Sequence, residues 1–151
     1  IRNAFLISGA IGVLIYATYP VSPPRLIPFA GFIDTMAVFD RVGYNAQETQ
    51  AFVNPFAAVP SLHFGWSMLI GAVVAWVGRK HRLLLILGIV WPIAMFFAVV
   101  LTGNHFILDA IAGALVCVIG IILAICLYWA RLYFVQLFFD AWRSRRGRTV
   151  T

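Results

Sequence analysis

The fold is decided by three consecutive pieces of sequence, LLLILGIVWPIAMFFAVVL (Leu83–Leu101), TGNH (Thr102–His105) and FILDAIAGALVCVIGIILAICLYWA (Phe106–Ala130). The two apolar runs are close to the roughly 17–25 residues that an α-helix needs to cross about 30 Å of hydrocarbon. Two further apolar runs, Ala4–Tyr19 and Ser61–Val77, precede them in the chain. We therefore predict an all-α, multi-pass transmembrane helix bundle with about four spanning helices.

The composition supports lipid as the main solvent of this chain. Of its 151 residues, 63% are hydrophobic and only 11% are charged, and the mean hydropathy is +0.96. Soluble domains have roughly 45–50% apolar and 25% charged residues. The net charge of +6 comes from basic residues in short clusters at the ends of apolar runs, not along one polar face. This pattern indicates contact with a membrane surface and excludes nucleic acid as a partner.

The segment Pro20–Pro60 is predicted to be a large outer loop. Its many prolines and the polar run Gly43–Gln50 prevent a continuous helix across the membrane. Within the loop, Phe29–Phe39 has the pattern of a short interfacial helix, with aromatic and aliphatic side chains toward lipid and Asp34 exposed.

The charge distribution predicts the orientation and a division of the chain into two parts. Four crossings place Arg2, the basic turn Gly78–Arg82 and the C-terminus on one side, which the positive-inside rule makes cytoplasmic. We predict a membrane-embedded core over residues 1–130 and an amphipathic, basic tail over residues 131–151. The tail is expected to bind anionic lipids through its arginines, which are Arg143, Arg145, Arg146 and Arg148. The protein is thus predicted to lie in the cell membrane.

Polar groups from three separate segments are expected to meet at the opposite, extracytoplasmic end. These segments are Pro23–Arg25, Pro60–His63 and Thr102–His105. His105 and Asp109 are four residues apart at a helix start, so both lie on one face and the carboxylate can accept a ring N–H of the histidine. Such a contact fixes the tautomer and raises the nucleophilicity of the other ring nitrogen. An acid in an apolar helix is costly unless it is paired, which makes Asp109 a functional candidate.

The remaining polar groups are typical of a phosphate site. Ser61 can cap the helix that carries His63, and the free N–H groups of a helix start favour an anion. Arg25 offers a planar charge for two-point contact with phosphate oxygens. Asn104 is either a phosphate ligand or a helix cap. We predict His105, His63 and Asp109 as catalytic residues, and Arg25, Ser61 and Asn104 as phosphate ligands.

These residues lack the spacing of a metal site or a glycine-rich phosphate loop, so we expect neither a metal nor a cofactor. Phosphoryl transfer through a phosphohistidine is the chemistry they fit. Structural alternatives remain open at this stage: His63 could bond a loop carbonyl, and His105 with Asp109 could simply close the helix junction. Asp34 is interpreted as a hydrated loop carboxylate, and His81 as a solvated residue of the cytoplasmic turn.

The sequences PSLH (Pro60–His63) and GNHFILD (Gly103–Asp109) together resemble the membrane-bound type 2 phosphatidic acid phosphatase superfamily, over roughly residues 1–130. More closely, YPVSPPR (Tyr19–Arg25) and NPFAAVPSLH (Asn54–His63) look like the branch that contains inositol phosphorylceramide synthases. The resemblance implies a six-helix core, of which this chain holds the last four helices.

The resemblance also implies roles for the polar residues. His105 would be the nucleophile, Asp109 its orienter, His63 the acid on the leaving group, and Arg25 the cation that neutralises the transferring phosphoryl group. Four positions depart from the superfamily pattern: Leu62 stands for a glycine, Val99 for an arginine, Thr18 for a lysine and Leu26 for a proline. Arg25, helped by Arg41, is then the expected cation of the site.

Two functions from different classes follow. The first is a lipid phosphate phosphatase, in which water accepts the phosphoryl group, or a lipid head-group phosphotransferase, in which an alcohol does. The second is a non-catalytic subunit of a larger membrane complex, in which the same fold packs against partner subunits. A transporter is disfavoured because one intramembrane acid near an interface makes a poor proton relay.

Overall fold

The computed structural model describes residues 1–29, 31–38 and 54–147, and this part of the chain is helical. Its helices are α1 (Arg2–Thr18), α2 (Thr35–Val38), α3 (Leu62–Val77), α4 (Arg82–Leu101) and α5 (Ile107–Gly147). A single 3-10 turn covers Pro24–Leu26. The all-helical class is therefore confirmed for the described residues.

Two helices are long and apolar enough to cross a membrane, namely α4 and α5. The helices α1 and α3 are apolar but shorter, with 17 and 16 residues. The four long helices begin and end within two residues of the predicted bounds, except at the end of α5. That all four cross the membrane, and that they belong to a six-helix core, stay predictions.

Helix α5 continues well beyond the predicted end at Ala130. It has 41 residues, which at 1.5 Å per residue is about 60 Å, roughly twice the hydrocarbon thickness. No Pro or Gly interrupts it after Gly120, so the backbone ladder continues through the predicted boundary between core and tail. The division at residue 130 itself stays a prediction.

The interfacial helix is shorter than the predicted Phe29–Phe39. Only Thr35–Val38 forms a helix, and Phe39 lies outside the described residues. Gly31 has a φ of +71°, which interrupts helical backbone. The Asp34 carboxylate accepts a hydrogen bond of 3.3 Å from the Ala37 N–H, which is N-cap geometry and starts the helix at Thr35.

Glycines let the helices approach one another closely. A Cβ at Gly113 of α5 would fall on the Ser61 carbonyl at the start of α3, and a Cβ at Gly71 of α3 would fall on the Gly88 carbonyl of α4. Small residues at crossings are the usual means of packing helices in lipid, where apolar side chains gain little by leaving their solvent. Helix α3 thus packs between α4 and α5.

Helix α1 packs mainly on α5, and its contacts with α3 are few. The two are joined where the Trp66 Nε1–H donates to the Ser8 hydroxyl at 3.1 Å and where the ring of Phe5 lies 5.7 Å from that of Trp66. This junction matters below, because α1 and α3 leave a groove between them on its far side.

Candidate active site

Main-chain hydrogen bonds bring the loop after α1 against the segment before α3. The Val21 N–H donates to the Phe56 carbonyl at 2.7 Å, and the Ala58 N–H returns to the Val21 carbonyl at 3.2 Å. Four residues further on, the Arg25 N–H donates to the Gly103 carbonyl at 2.9 Å. The predicted segments Pro23–Arg25 and Thr102–His105 therefore meet as expected.

The remaining predicted segment, Pro60–His63, is connected to the other two through a contact with α5. The Ser61 N–H donates to the Asp109 carbonyl at 2.9 Å, and the Tyr16 hydroxyl of α1 donates to the Pro60 carbonyl. Because these contacts use backbone groups of all three segments, the residues predicted from the sequence lie at one end of the bundle.

His105 is held by its Nδ1 atom. This atom lies 2.7 Å from the Ala58 carbonyl oxygen and 3.6 Å from the Asp109 carboxylate. A carbonyl oxygen can only accept, so Nδ1 carries the proton and Nε2 keeps its lone pair. Burial of the ring lowers the pKa of His105, and the Ala58 hydrogen bond and the Asp109 charge offset this only in part. The ring is therefore neutral at neutral pH.

Asp109 has a second contact besides His105. Its carboxylate accepts a 2.8 Å hydrogen bond from the Phe106 N–H at the start of α5, and its side chain is only 2% exposed. The predicted pairing with His105 is present, but the longer distance shows that the main acceptor of the ring proton is Ala58. Sequence reasoning missed Ala58 because a backbone carbonyl leaves no mark in the residue pattern.

His63 lies on the first turn of α3 and faces His105. The two ring centroids are 6.0 Å apart and the ring planes meet at 50°. His63 is exposed, whereas His105 is buried. This separation leaves room for a small group between the two rings.

Arg25 is fixed at both sides of its guanidinium group. Nε lies 3.2 Å from the Asp34 carboxylate, and Nη1 donates to the Asn104 side-chain oxygen at 3.0 Å. The arginine side chain is only 8% exposed. The interpretation of Asp34 as a merely hydrated carboxylate is wrong, because Asp34 pairs with Arg25. Arg25 and Asp34 are nine residues apart in an irregular loop, and such a spacing does not predict a contact between them.

Asn104 connects Arg25 to the α4–α5 junction. Its amide nitrogen donates to the Thr102 hydroxyl at 2.7 Å, while its oxygen accepts from Arg25. Neither predicted role of Asn104 includes its observed contact with the arginine, and direct phosphate contact by Asn104 stays a prediction. A remaining amide N–H can still reach a ligand in the cavity.

Ser61 is the one predicted ligand that does not reach the cavity wall. It is the N-cap of α3, with its hydroxyl 3.5 Å from the Phe64 N–H, and it is completely buried. Its predicted capping geometry is present. The geometry gives no support to direct phosphate contact by Ser61, which stays a prediction.

A cavity of about 530 Å³ lies between these groups. Its polar wall contains Arg25, His63, Asn104 and His105, and its apolar wall contains Leu62, Trp66 and Val99, among other residues. Among the described lining residues, Arg25 is the single lysine or arginine. Arg41, the other expected cation, lies outside the described residues.

Two of the positions that depart from the superfamily pattern, Leu62 and Val99, are on this apolar wall.

No group of three or more His, Cys, Asp or Glu residues that could hold a metal ion occurs within the described ranges. The polar side chains that line the cavity are thus two imidazoles, one guanidinium group, the amides of Asn54 and Asn104, and the hydroxyl of Tyr16.

The fold and this cavity define a membrane-associated helical protein whose cavity is lined by two histidines and one arginine. A family model described as PAP2 superfamily matches residues 1–123, and the chain belongs to this superfamily. Its members are typically phosphatases or phosphotransferases. No curated protein and no solved structure matches the chain. The superfamily part of the resemblance is confirmed, and the inositol phosphorylceramide synthase-like branch stays a prediction.

Proposed function

We propose that this chain is a metal-independent lipid phosphate phosphatase or lipid head-group phosphotransferase that acts through a phosphohistidine on His105. The carrying observation is the contact of Nδ1 with the Ala58 carbonyl, because it leaves Nε2 as the basic nitrogen on a ring that lines the cavity. His63 and Arg25 line the same cavity.

In the first step, the Nε2 lone pair of His105 attacks phosphorus. The bond from phosphorus to the leaving oxygen breaks, and its electron pair stays on that oxygen. His63 in its protonated form donates a proton to the leaving group. Arg25 holds the equatorial oxygens, and because Asp34 and Asn104 fix the guanidinium group, little reorganisation is needed.

In the second step, an acceptor oxygen attacks the phosphohistidine and the electron pair of the P–N bond returns to Nε2. His63, now neutral, takes the proton from the acceptor. Water as acceptor gives a phosphatase, and an alcohol gives a phosphotransferase. The branch resemblance favours an alcohol, and the space between the rings of His63 and His105 is where either would enter.

The apolar wall of the cavity supports a lipid substrate. Leu62, Trp66 and Val99 line the cavity beside its polar groups, and the large apolar side chains of α4 are mostly exposed. The phosphate would lie at the bundle end opposite the basic turn Gly78–Arg82, hence on the extracytoplasmic side. The same rule makes the C-terminus cytoplasmic, where the arginines of the tail would contact anionic lipids.

The test is turnover on a panel of lipid phosphomonoesters and phosphodiesters in detergent, with a metal chelator present and with alcohols added as acceptors. We expect phosphate release or head-group exchange by the wild-type chain and its loss in His105→Ala. His63→Ala should slow leaving-group departure, by about 10²–10⁴-fold. His81→Ala, on the opposite turn, is the matched control and should keep full activity.

A direct readout is trapping of the intermediate. Brief reaction with a lipid labelled at phosphorus should leave acid-labile, alkali-stable label on the wild-type protein and none on His105→Ala. If the folded protein shows neither turnover nor label with any of the lipids, the proposed enzymatic function is wrong. That result would instead favour the non-catalytic subunit of a membrane complex, with partner subunits on the exposed helix faces.

A further inference from the structure

A second concavity lies at the other end of the bundle, between α1 and α3. This groove has a volume of about 1120 Å³ and is floored by α5. Its lining is mostly aliphatic and includes Leu69, Val73 and Ile125, with Trp76 and Tyr128 among the lining aromatics. None of the proposed catalytic residues lines it.

The groove exists because α1 and α3 pack on α5 more than on each other. Contacts from Trp66 to Ser8 and Phe5 close the gap on the catalytic side. Beyond them, Ala72 and its neighbours on α3 face the start of α1 across open space. The groove is therefore a fixed product of helix packing and not a gap in a flexible loop.

Arginines adjoin the lining residues at one end of this groove. The Arg79 guanidinium carbon lies 5.1 Å from the centre of the Trp76 ring, a lining residue, and Nη1 donates to the Trp76 carbonyl. Arg2 lies between the lining residues Ile1 and Asn3, and Arg131 follows the lining residue Tyr128 by about one helical turn. Each of the three elements that line the groove is thus accompanied by an arginine next to, or within about one helical turn of, a lining residue.

No acid balances these arginines in the described part of the chain. Its acids are Asp34, Asp109 and Asp140. The first two belong to the catalytic end, and Asp140 lies nine residues beyond Arg131 on an exposed stretch of α5. The end of the groove is consequently cationic, while its walls are apolar.

We propose that this groove is a binding site for an anionic phospholipid, separate from the catalytic cavity. One acyl chain lies between α1 and α3 on α5, and the phosphate contacts the arginines at the end of the groove. Trp76 and Tyr128 suit the depth of the head group, because their rings are partly apolar and their N–H and O–H groups are polar. A zwitterionic head group carries the same phosphate together with a cationic amine, which the arginines repel, so it should bind less tightly.

The expected preference follows from the charges. A lysine or arginine near an anionic surface contributes about a fivefold gain in binding. Two or three arginines at the groove therefore predict at least a tenfold preference for an anionic lipid over a zwitterionic lipid with the same acyl chains.

The test is native mass spectrometry of the delipidated full chain, titrated with dioleoyl phosphatidylglycerol or dioleoyl phosphatidylcholine. We expect one tightly bound phosphatidylglycerol per chain, and an affinity for phosphatidylcholine that is at least tenfold weaker. Arg79→Gln and Arg131→Gln should each reduce the preference about fivefold. Arg143→Gln, on the same helix but farther from the groove, is the matched control and should not change it.

A second pair of variants tests the groove itself. Ala72→Trp fills the groove from an exposed position of α3 and should abolish the tight binding. Ala94→Trp adds the same ring to an exposed position of α4 that does not line the groove, and should leave binding intact.

Three results would overturn the proposal. These are equal binding of the two lipids, tight binding that survives Ala72→Trp, and a groove covered by protein. The third would show as a dimer mass, or as failure of a lipid-soluble thiol reagent to label Ala72→Cys in the delipidated full chain. None of these readouts uses turnover, so the result is independent of the proposed function.

Discussion

The Nδ1 atom of His105 lies 2.7 Å from the carbonyl oxygen of Ala58. This contact links His105, the proposed nucleophile, to the segment before α3, and α3 is the helix that carries His63. Asp109 lies farther from the ring, at 3.6 Å, and accepts the Phe106 N–H at 2.8 Å. The Ala58 carbonyl and the Asp109 carboxylate thus both orient the His105 ring, whereas the sequence predicts this role for Asp109 alone. Substitutions at Asp109 can separate the two contributions.

Asp109→Asn should retain more activity than Asp109→Ala. An asparagine oxygen can still accept from the Phe106 N–H, and Ala58 still fixes the His105 tautomer, so we expect kcat to fall only about tenfold. Alanine leaves a buried N–H unsatisfied at the start of α5, which costs about 1–3 kcal/mol, and kcat should fall at least about 10²-fold. Steady-state kinetics of both variants give the comparison. Equal losses would show that the carboxylate charge, and not its backbone contact, is what matters.

The acid limb of kcat/KM should lie below pH 6.5, the usual pKa of histidine. His105 attacks only when neutral, and burial lowers the pKa of this histidine, so the nucleophile stays available at a pH where free imidazole is protonated. The same shift destabilises the folded protein on acidification, since the unfolded state binds more protons between the two pKa values. A phosphodiester substrate removes titration of the phosphate from the profile. An acid limb at or above 6.5 would contradict the neutral, buried ring.

Asp34→Asn should raise KM more than it lowers kcat. The Asp34 carboxylate lies 3.2 Å from Nε of Arg25, so its loss frees the guanidinium group to leave its position before substrate binds. A loss of about 1–2 kcal/mol corresponds to about a five- to thirtyfold rise in KM. Asp140→Asn, an exposed position on α5, is the control. Unchanged KM would mean that Asn104 alone positions the arginine.

Gly113→Ala should destabilise the bundle and separate the segments that carry the two histidines. A Cβ at this position falls on the Ser61 carbonyl, and overpacking of this kind costs about 1–3 kcal/mol. Gly9→Ala is the milder comparison, because its Cβ would meet only the edge of the Trp66 ring at 3.3 Å. Thermal unfolding in detergent should rank wild type, Gly9→Ala and Gly113→Ala in that order. A Gly113→Ala variant as stable as wild type would show that the helices can move apart freely.

The helices could be predicted because lipid imposes a simple pattern on the sequence. An apolar run such as Leu83–Leu101 admits few other structures, and its bounds agree with α4 within one residue. The alternation of helix direction along the sequence then predicts that Arg25, His63 and His105 lie at one end of the bundle. The end of α5 was harder to predict, because a change from apolar to amphipathic composition at residue 130 does not interrupt the backbone ladder.

The contacts within the site could not be predicted to the same extent. Ala58 acts through its carbonyl, which every residue type possesses, and Asp34 reaches Arg25 through the path of an irregular loop. For Ser61 the residue pattern predicts both a helix cap and a phosphate contact, and the structure shows the cap. Side chains at helix starts could be interpreted from residue type, whereas main-chain partners depend on the full arrangement of the loops.

The main-chain hydrogen bonds that join the loops have a consequence for how this site can diverge. Main-chain N–H and carbonyl groups join three pairs of residues, namely Val21 with Phe56, Arg25 with Gly103 and Ser61 with Asp109. These groups persist when most side chains are exchanged. Residues on the cavity wall, such as Leu62 and Val99, can therefore be replaced while His105 stays in position. A descendant of this protein could acquire a new substrate by changing the wall of the cavity, without rebuilding the frame that orients His105.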